Sequence, residues 1–220
     1  MSNENGQAGC VRTCARCISF RRTCENGEDG FCASPANKTL VHPSIKESDL
    51  ACPQYESAVL VIATGGTAEF NYAPSGDLIF EKSVVPEMIK RARARINIGV
   101  KTLCLKDSRD LTDADRKTIV RSCLESAESR VIVVHGTDTV HQTFEMMATE
   151  TAGTSKTVVF TGAFLPAALG RESDFPFNFG AALAIVQVLP AGCYLCINGQ
   201  ILRRFRKDRL TWAFEAAETE

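Results

Sequence analysis

From residue 58 onward, short apolar runs alternate with stretches in which apolar residues recur every three or four positions, the pattern of strands alternating with helices. The runs at residues 58–63, 100–105, 130–135, 157–161 and 193–197 are apolar with little alternation, which predicts strands covered on both faces. Between them, Ile119, Val120, Cys123, Leu124 and Ala127 recur at helical spacing behind a capping box of Thr112 and Asp115. Val140, Phe144, Met147 and Ala148 predict a second helix, and residues 178–189, stopped by Pro190, a third. This order predicts an α/β domain built on a doubly wound parallel sheet.

Residues 1–55 have another character. They are rich in Cys, Gly, Asn and charge, with few apolar runs, so this segment cannot fold on a hydrophobic core alone. The expected organisation is a small Cys-rich metal-binding module over residues 1–55 and an α/β domain over residues 56–220.

Composition narrows the function classes. The 220 residues are 45% hydrophobic, enough for a full core, and carry 25 Lys plus Arg against 26 Asp plus Glu. A net charge of -1 leaves no basic footprint for nucleic acid. No apolar run approaches the roughly 18 residues of a spanning helix, and the first residues lack the charged and apolar regions of a signal peptide. The expectation is a cytosolic protein with no membrane partner.

In an open parallel sheet, ligands bind beyond the carboxyl ends of the strands. Four polar segments stand at strands: Thr64-Gly65-Gly66-Thr67 and Lys106-Asp107-Ser108-Arg109-Asp110 follow the first and second, His135-Gly136-Thr137-Asp138-Thr139 follows the third, and Lys156 and Thr161-Gly162-Ala163 bracket the fourth. Singly, each has a plain structural use: a glycine turn, an N-cap at Asp138, a solvated strand end at Lys156.

Together and in this order, the four segments resemble the bacterial-type L-asparaginase family over residues 58–215. The run from Lys106 to Arg116, Arg171-Glu172-Ser173-Asp174 and Ile197-Asn198-Gly199-Gln200 resemble its short, single-domain members more closely. The resemblance implies that Thr67 is the nucleophile of an amidohydrolase, forming an acyl-enzyme on a small-molecule amide, asparagine first among the candidates, with release of ammonia. It implies a second triad of Thr137, Asp138 and Lys156, in which a desolvated Lys activates a hydroxyl through Thr137. Ser108 and Asp138 match positions that hold the substrate's α-carboxylate and α-amino group, with Gly66 and Gly136 beside them. Tyr72 is either the proton acceptor for Thr67 or an aromatic lid on the loop. Arg109 stands where the long enzymes carry Gln or Ser, and it either grips a carboxylate or pairs with Asp110. The long enzymes also have a C-terminal domain that lends a Glu to a neighbouring subunit, and this chain ends before it. Members are homo-oligomers, which implies a dimer or tetramer.

Six of the ten Cys fall within the first 52 residues, and in a reducing compartment they read as metal ligands or free thiols. The Cys14-x2-Cys17 knuckle, Gly30-Phe31-Cys32 and Cys52 followed by Tyr55-Glu56 resemble small Cys-rich modules, which implies Cys14, Cys17, Cys32 and Cys52 as a tetrahedral thiolate set for structural zinc. An iron-sulfur cluster is the alternative, because Cys10, Cys14 and Cys17 also have a cluster-like spacing. Cys104, Cys123, Cys193 and Cys196 read as core, and Cys193 and Cys196, three apart on a strand, point to opposite faces. His135 and His141 are expected to pack or bond locally. Two rivals to the enzyme remain: a non-catalytic module that senses an amino acid or amide, and a subunit of a larger amidohydrolase or amidotransferase.

Overall fold

The computed structural model describes residues 20–22, 30–32, 41–42, 59–208 and 214–217, the first three segments by backbone only. The chain divides into two units, Met1–Glu56 and Ser57–Glu220. In the first, strands β1 (Phe20–Arg22), β2 (Gly30–Cys32) and β3 (Val41–His42) pair antiparallel. Of the expected ligands, Cys14, Cys17 and Cys52 lie outside the described residues, as does the side chain of Cys32 at the end of β2.

The second unit runs through β4 (Val59–Gly65), the two-residue strands β5 (Asn71–Tyr72) and β6 (Leu78–Ile79), α1 (Val85–Arg91) and β7 (Ile98–Lys106). It continues with α2 (Asp113–Leu124), β8 (Arg130–Val134), α3 (Val140–Thr151), β9 (Thr157–Thr161), α4 (Phe175–Ile185) and β10 (Gly192–Ile197). Three short strands follow: β11 (Gln200–Leu202), β12 (Phe205–Lys207) and β13 (Phe214–Ala216). The main sheet has the order β11-β10-β9-β8-β4-β7 and is parallel except where β11 turns back on β10.

Strand alternation sorts the apolar residues into two cores. Val59, Val61, Ala63, Ile132, Val134, Val159 and Cys196 face α1 and α4, which contribute Val85, Met88, Phe175, Phe179 and Ala182. Leu60, Ile62, Val131, Val133, Phe160, Cys193 and Leu195 face α2 and α3, which contribute Ile119, Cys123, Phe144 and Met147. Strands β4, β8, β9 and β10 therefore need apolar residues on both sides, which is why their runs read as unbroken. Cys193 and Cys196 lie in opposite cores, and Cys123 is buried with them.

Three expectations change. The run at 100–105 belongs to an edge strand, not one covered on both faces: among the described residues no strand lies beyond β7, and its Val100, Lys101 and Thr102 are exposed. The third helix begins earlier than residue 178, with Pro176 in its first turn, where a missing N–H costs no bond. Helix α1 and strands β11 to β13 are too short and too polar to have registered as periodic. The capping box is present as read: the Thr112 hydroxyl accepts from the Asp115 N–H, and the Asp115 carboxylate accepts from the Thr112 N–H. Among the described residues no helix is long and apolar enough to cross a membrane.

Candidate active site

From β4 the chain goes to β7 on one side and then to β8 on the other, so the carboxyl end of β4 is the point at which the sheet order reverses. That crevice is where an open α/β sheet takes its ligand. The loops of Thr67, Ser108 and Thr137 follow β4, β7 and β8 and meet there.

Glycine lets them meet. Gly65 and Gly66 have φ of 99° and 79°, and the Gly66 N–H donates to the Lys106 carbonyl at 2.8 Å. A Cβ on Gly65 would strike the Lys106 backbone and one on Gly66 the Gly136 backbone. A Cβ on Gly136 would stand 2.6 Å from that of Ser108. The three loops are thus stacked without room for side chains between them, and the glycine pair is both a turn and a close approach.

Thr67 opens a single 3-10 turn, Thr67–Glu69, at the tip of β4. The turn is anchored by the buried Glu69, whose carboxylate accepts from the Ser83 hydroxyl at 2.9 Å and the Val84 N–H at 2.6 Å. Burial pushes the Glu69 carboxyl above its ordinary value, with the two bonds opposing. Tyr72 lies on β5 with 46% of its surface exposed. Both β5 and the Thr67 turn pack on the 3-10 segment Ala167–Glu172.

Ser108 is buried, as are Gly136 and Thr137. Arg109 is 69% exposed; its guanidinium grips Asp107 in a two-point contact of 2.7 and 3.1 Å and lies 3.7 Å from Asp138. Of the two readings left open by the sequence, pairing with Asp110 gives way to pairing with Asp107, whose carboxylate also caps the Ser108–Asp110 turn. The Arg109 hydrogen bond holds Asp107 below the usual carboxylate range.

Lys156 is not brought to the site. It precedes β9, at the amino end of the sheet, and its ammonium donates to the Ser126 carbonyl and hydroxyl and to the Glu128 carbonyl. A parallel strand separates its two ends by its whole length, so a Lys before β9 and a Thr-Asp pair after β8 lie at opposite edges.

The cation hydrogen-bonded to Asp138 is Lys207. Its ammonium donates to Asp138 Oδ1 at 2.7 Å, with the Lys207 side chain 17% exposed. Strand β12 carries it there by pairing with β13. Phe205 packs on Phe144 and Phe214, and the Lys207 ammonium lies over Phe164 and Phe214 at 5.7 and 6.0 Å from the ring centroids. In sequence, Lys207 ends the basic run Arg203-Arg204-Phe205-Arg206-Lys207, which reads as a solvated strand; the one signal was Phe205 interrupting it. Asp138 and Lys207 also bound a cavity of ≈ 480 Å³ with His141, Glu145, Phe205 and Phe214. Thr67, Ser108 and Thr137 do not line it.

Beneath the loops lies a polar network of buried Arg116, Thr143 and His135 with half-buried Thr139. His135 Nδ1 is 2.8 Å from the Gly136 carbonyl, which can only accept, so Nδ1 carries the proton. Burial lowers the His135 pKa to about 4, so the ring is neutral and Nε2 is bare. The Thr143 hydroxyl, 2.9 Å away, therefore donates to Nε2 and accepts from Arg116 Nη1 at 2.9 Å. Arg116 Nη2 donates to the Thr139 hydroxyl, which donates to the Ser108 carbonyl at 2.7 Å. Periodicity could not reveal this set, since its members are scattered polar residues, Arg116 on α2, Thr143 on α3, and His135 and Thr139 in the loop between β8 and α3. Among the described residues no group of three or more His, Cys, Asp or Glu could hold a metal ion.

Residues 58–217 match the family described as asparaginase, N-terminal. The chain is also similar to three solved structures. The thermostable L-asparaginase of Thermococcus kodakarensis is 25% identical, with a TM-score of 0.66 over 74% of this chain and 52% of that one. A probable cytoplasmic L-asparaginase of Campylobacter jejuni is 26% identical, with a TM-score of 0.60 over 73% and 53%. L-asparaginase I of Vibrio cholerae O1, at 22% identity and a TM-score of 0.65 over 75% and 53%, shares the fold. The chain spans about half the length of these enzymes. Since the family match covers most of the chain, including the three loops that meet at the end of β4, this protein belongs to the asparaginase N-terminal family.

Proposed function

We propose that the protein is an amidohydrolase that releases ammonia from asparagine or a related side-chain amide, with Thr67 as nucleophile. The observation that carries this reading is the convergence of Thr67, Ser108 and Thr137-Asp138 at the switch point of the sheet, with Lys207 on Asp138. Thr67 Oγ attacks the amide carbon, and the carbonyl electron pair moves onto oxygen, where backbone N–H groups near Thr67 and Thr137 receive it. The hydroxyl proton passes to a base and on to the departing nitrogen as the C–N bond breaks. Water then adds to the Thr67 ester, freeing the carboxylate and restoring the hydroxyl. Tyr72, or Thr137 coupled to the Asp138–Lys207 pair, handles the proton. The ion pair takes the role that the family resemblance implied for Lys156, with the ammonium sheltered by Phe164 and Phe214. Ser108 and Asp138 hold the substrate's carboxylate and amine, with the Arg109 guanidinium near Asp138. A homo-oligomer and a structural zinc or iron-sulfur site at Cys14, Cys17, Cys32 and Cys52 belong to the same proposal on family likeness and spacing.

The test is ammonia release from asparagine, glutamine and a panel of larger amides, with Thr67→Ala in parallel. Release that vanishes in the variant, with an acyl adduct of the wild type visible by mass spectrometry after acid quench, is the expected result. Equal release from both proteins overturns the nucleophile. Binding of an amide without release from any of them points to a sensing module instead.

A further inference from the structure

Arg116 is 3% exposed, and among the described residues no carboxylate is in ion-pair contact with it. Burying a guanidinium with no carboxylate in contact is costly: Asp113 and Asp115 act on it only through space, and among the described residues its Nε has no hydrogen-bond partner. What Arg116 does make is specific. Nη1 donates to Thr143 and Nη2 to Thr139 and the Leu111 carbonyl. Each threonine passes the direction of donation on: Thr139 to the Ser108 carbonyl, and Thr143 through His135 to the Gly136 carbonyl.

One guanidinium therefore drives two hydroxyl relays that end on the backbones of two different loops. A hydroxyl that must accept from a guanidinium has its only proton free for its other neighbour, so neither relay can reverse while the charge stays in place. The two carbonyls belong to Ser108 and Gly136, which are in contact.

We propose that Arg116 is a positioning residue that sets the spacing of the Ser108 and Gly136–Asp138 loops, with Thr139 serving substrate binding and Thr143 and His135 serving the reaction step. The division of labour rests on the functional reading above. The relay through Thr139 ends at Ser108, which holds the carboxylate in that reading, and its loss is read in KM. The relay through Thr143 ends at Gly136, whose next residue is Thr137, and its loss is read in kcat.

The experiment compares Thr139→Val, Thr143→Val, Thr139→Ser and Thr143→Ser in steady-state amide hydrolysis, together with the ¹⁵N spectrum of the histidine rings. Thr139→Val is expected to raise KM about tenfold at nearly unchanged kcat, and Thr143→Val to lower kcat about tenfold, each the scale of one charge-assisted hydrogen bond. Both Ser variants, which keep the hydroxyl, restore wild-type constants. His135 should give the signature of the Nδ1-protonated tautomer in the wild type and a mixture in Thr143→Val. Val and Ser variants that are equally impaired, or Val variants with wild-type constants, overturn the proposal. So does an Nε2-protonated His135 in the wild type. If the wild type hydrolyses no amide, the functional reading falls while the tautomer still judges the relay.

Discussion

Asp138 receives a 2.7 Å hydrogen bond from Lys207, a residue 69 positions away, while Lys156 donates to Ser126 and Glu128 at the other end of the sheet. The two lysines should therefore fail differently. Lys207→Met is expected to lower kcat roughly 100-fold or more with the fold retained, the range of a lost proton-transfer partner. Lys156→Met is expected to keep kcat and lose about 1–3 kcal/mol of stability, because three backbone and hydroxyl acceptors lose a common donor. Rates and denaturant melts on both variants decide it; the reverse pattern would return Lys156 to the mechanism.

Gly66 combines a positive φ with a backbone neighbour where its Cβ would be. Gly66→Ala should cost about 2–4 kcal/mol and displace the Thr67 turn, removing activity before it removes the fold. Gly76 also has positive φ but has nothing within 4 Å of its added Cβ. Gly76→Ala is the control: it should cost the left-handed penalty alone and leave activity intact, as measured by urea unfolding and initial rates.

His135 is held neutral by burial, its pKa lowered from 6.5 to about 4. A depressed histidine pKa means that the unfolded chain binds the proton first, so this contribution is complete above pH 6.5 and is lost as pH falls toward 4. The loss is on the order of 3 kcal/mol. His135→Gln lacks the titrating ring, and its stability should fall less over that window. Parallel unfolding curves from pH 7 to 4 for the two proteins would show that another group governs the slope.

In the first unit, the expected thiolate set predicts that Cys14→Ser lowers the metal content of the 220-residue chain while Thr67-dependent hydrolysis persists. Elemental analysis separates zinc from iron, and visible absorbance marks a cluster. Full metal retention in Cys14→Ser would remove this residue from the ligands.

Much of the second unit could be read along the chain, because its determinants are local. Apolar runs of strand length and helices at 3.6-residue spacing placed five sheet strands and three helices, and the capping box at Thr112 and Asp115 marked the start of α2. The loops that carry Thr67, Ser108, Thr137 and Asp138 were legible for the same reason, since each follows a strand and a parallel sheet puts all such loops at one end, whereas the roles expected of these residues came from the family resemblance.

The chain alone did not reveal which cation joins them. Lys156 precedes a strand and is carried to the far edge, whereas Lys207 ends a short strand that crosses back over Phe164 and Phe214 to reach Asp138. The Arg116 relays are hidden likewise, since hydrogen bonds among α2, α3 and the loop that follows β8 have no sequence period. The order of polar and apolar residues determined the elements and the edge at which the loops emerge. Which side chains meet there was decided by packing between segments far apart in the chain, where the long-range contact rather than the local pattern sets each position.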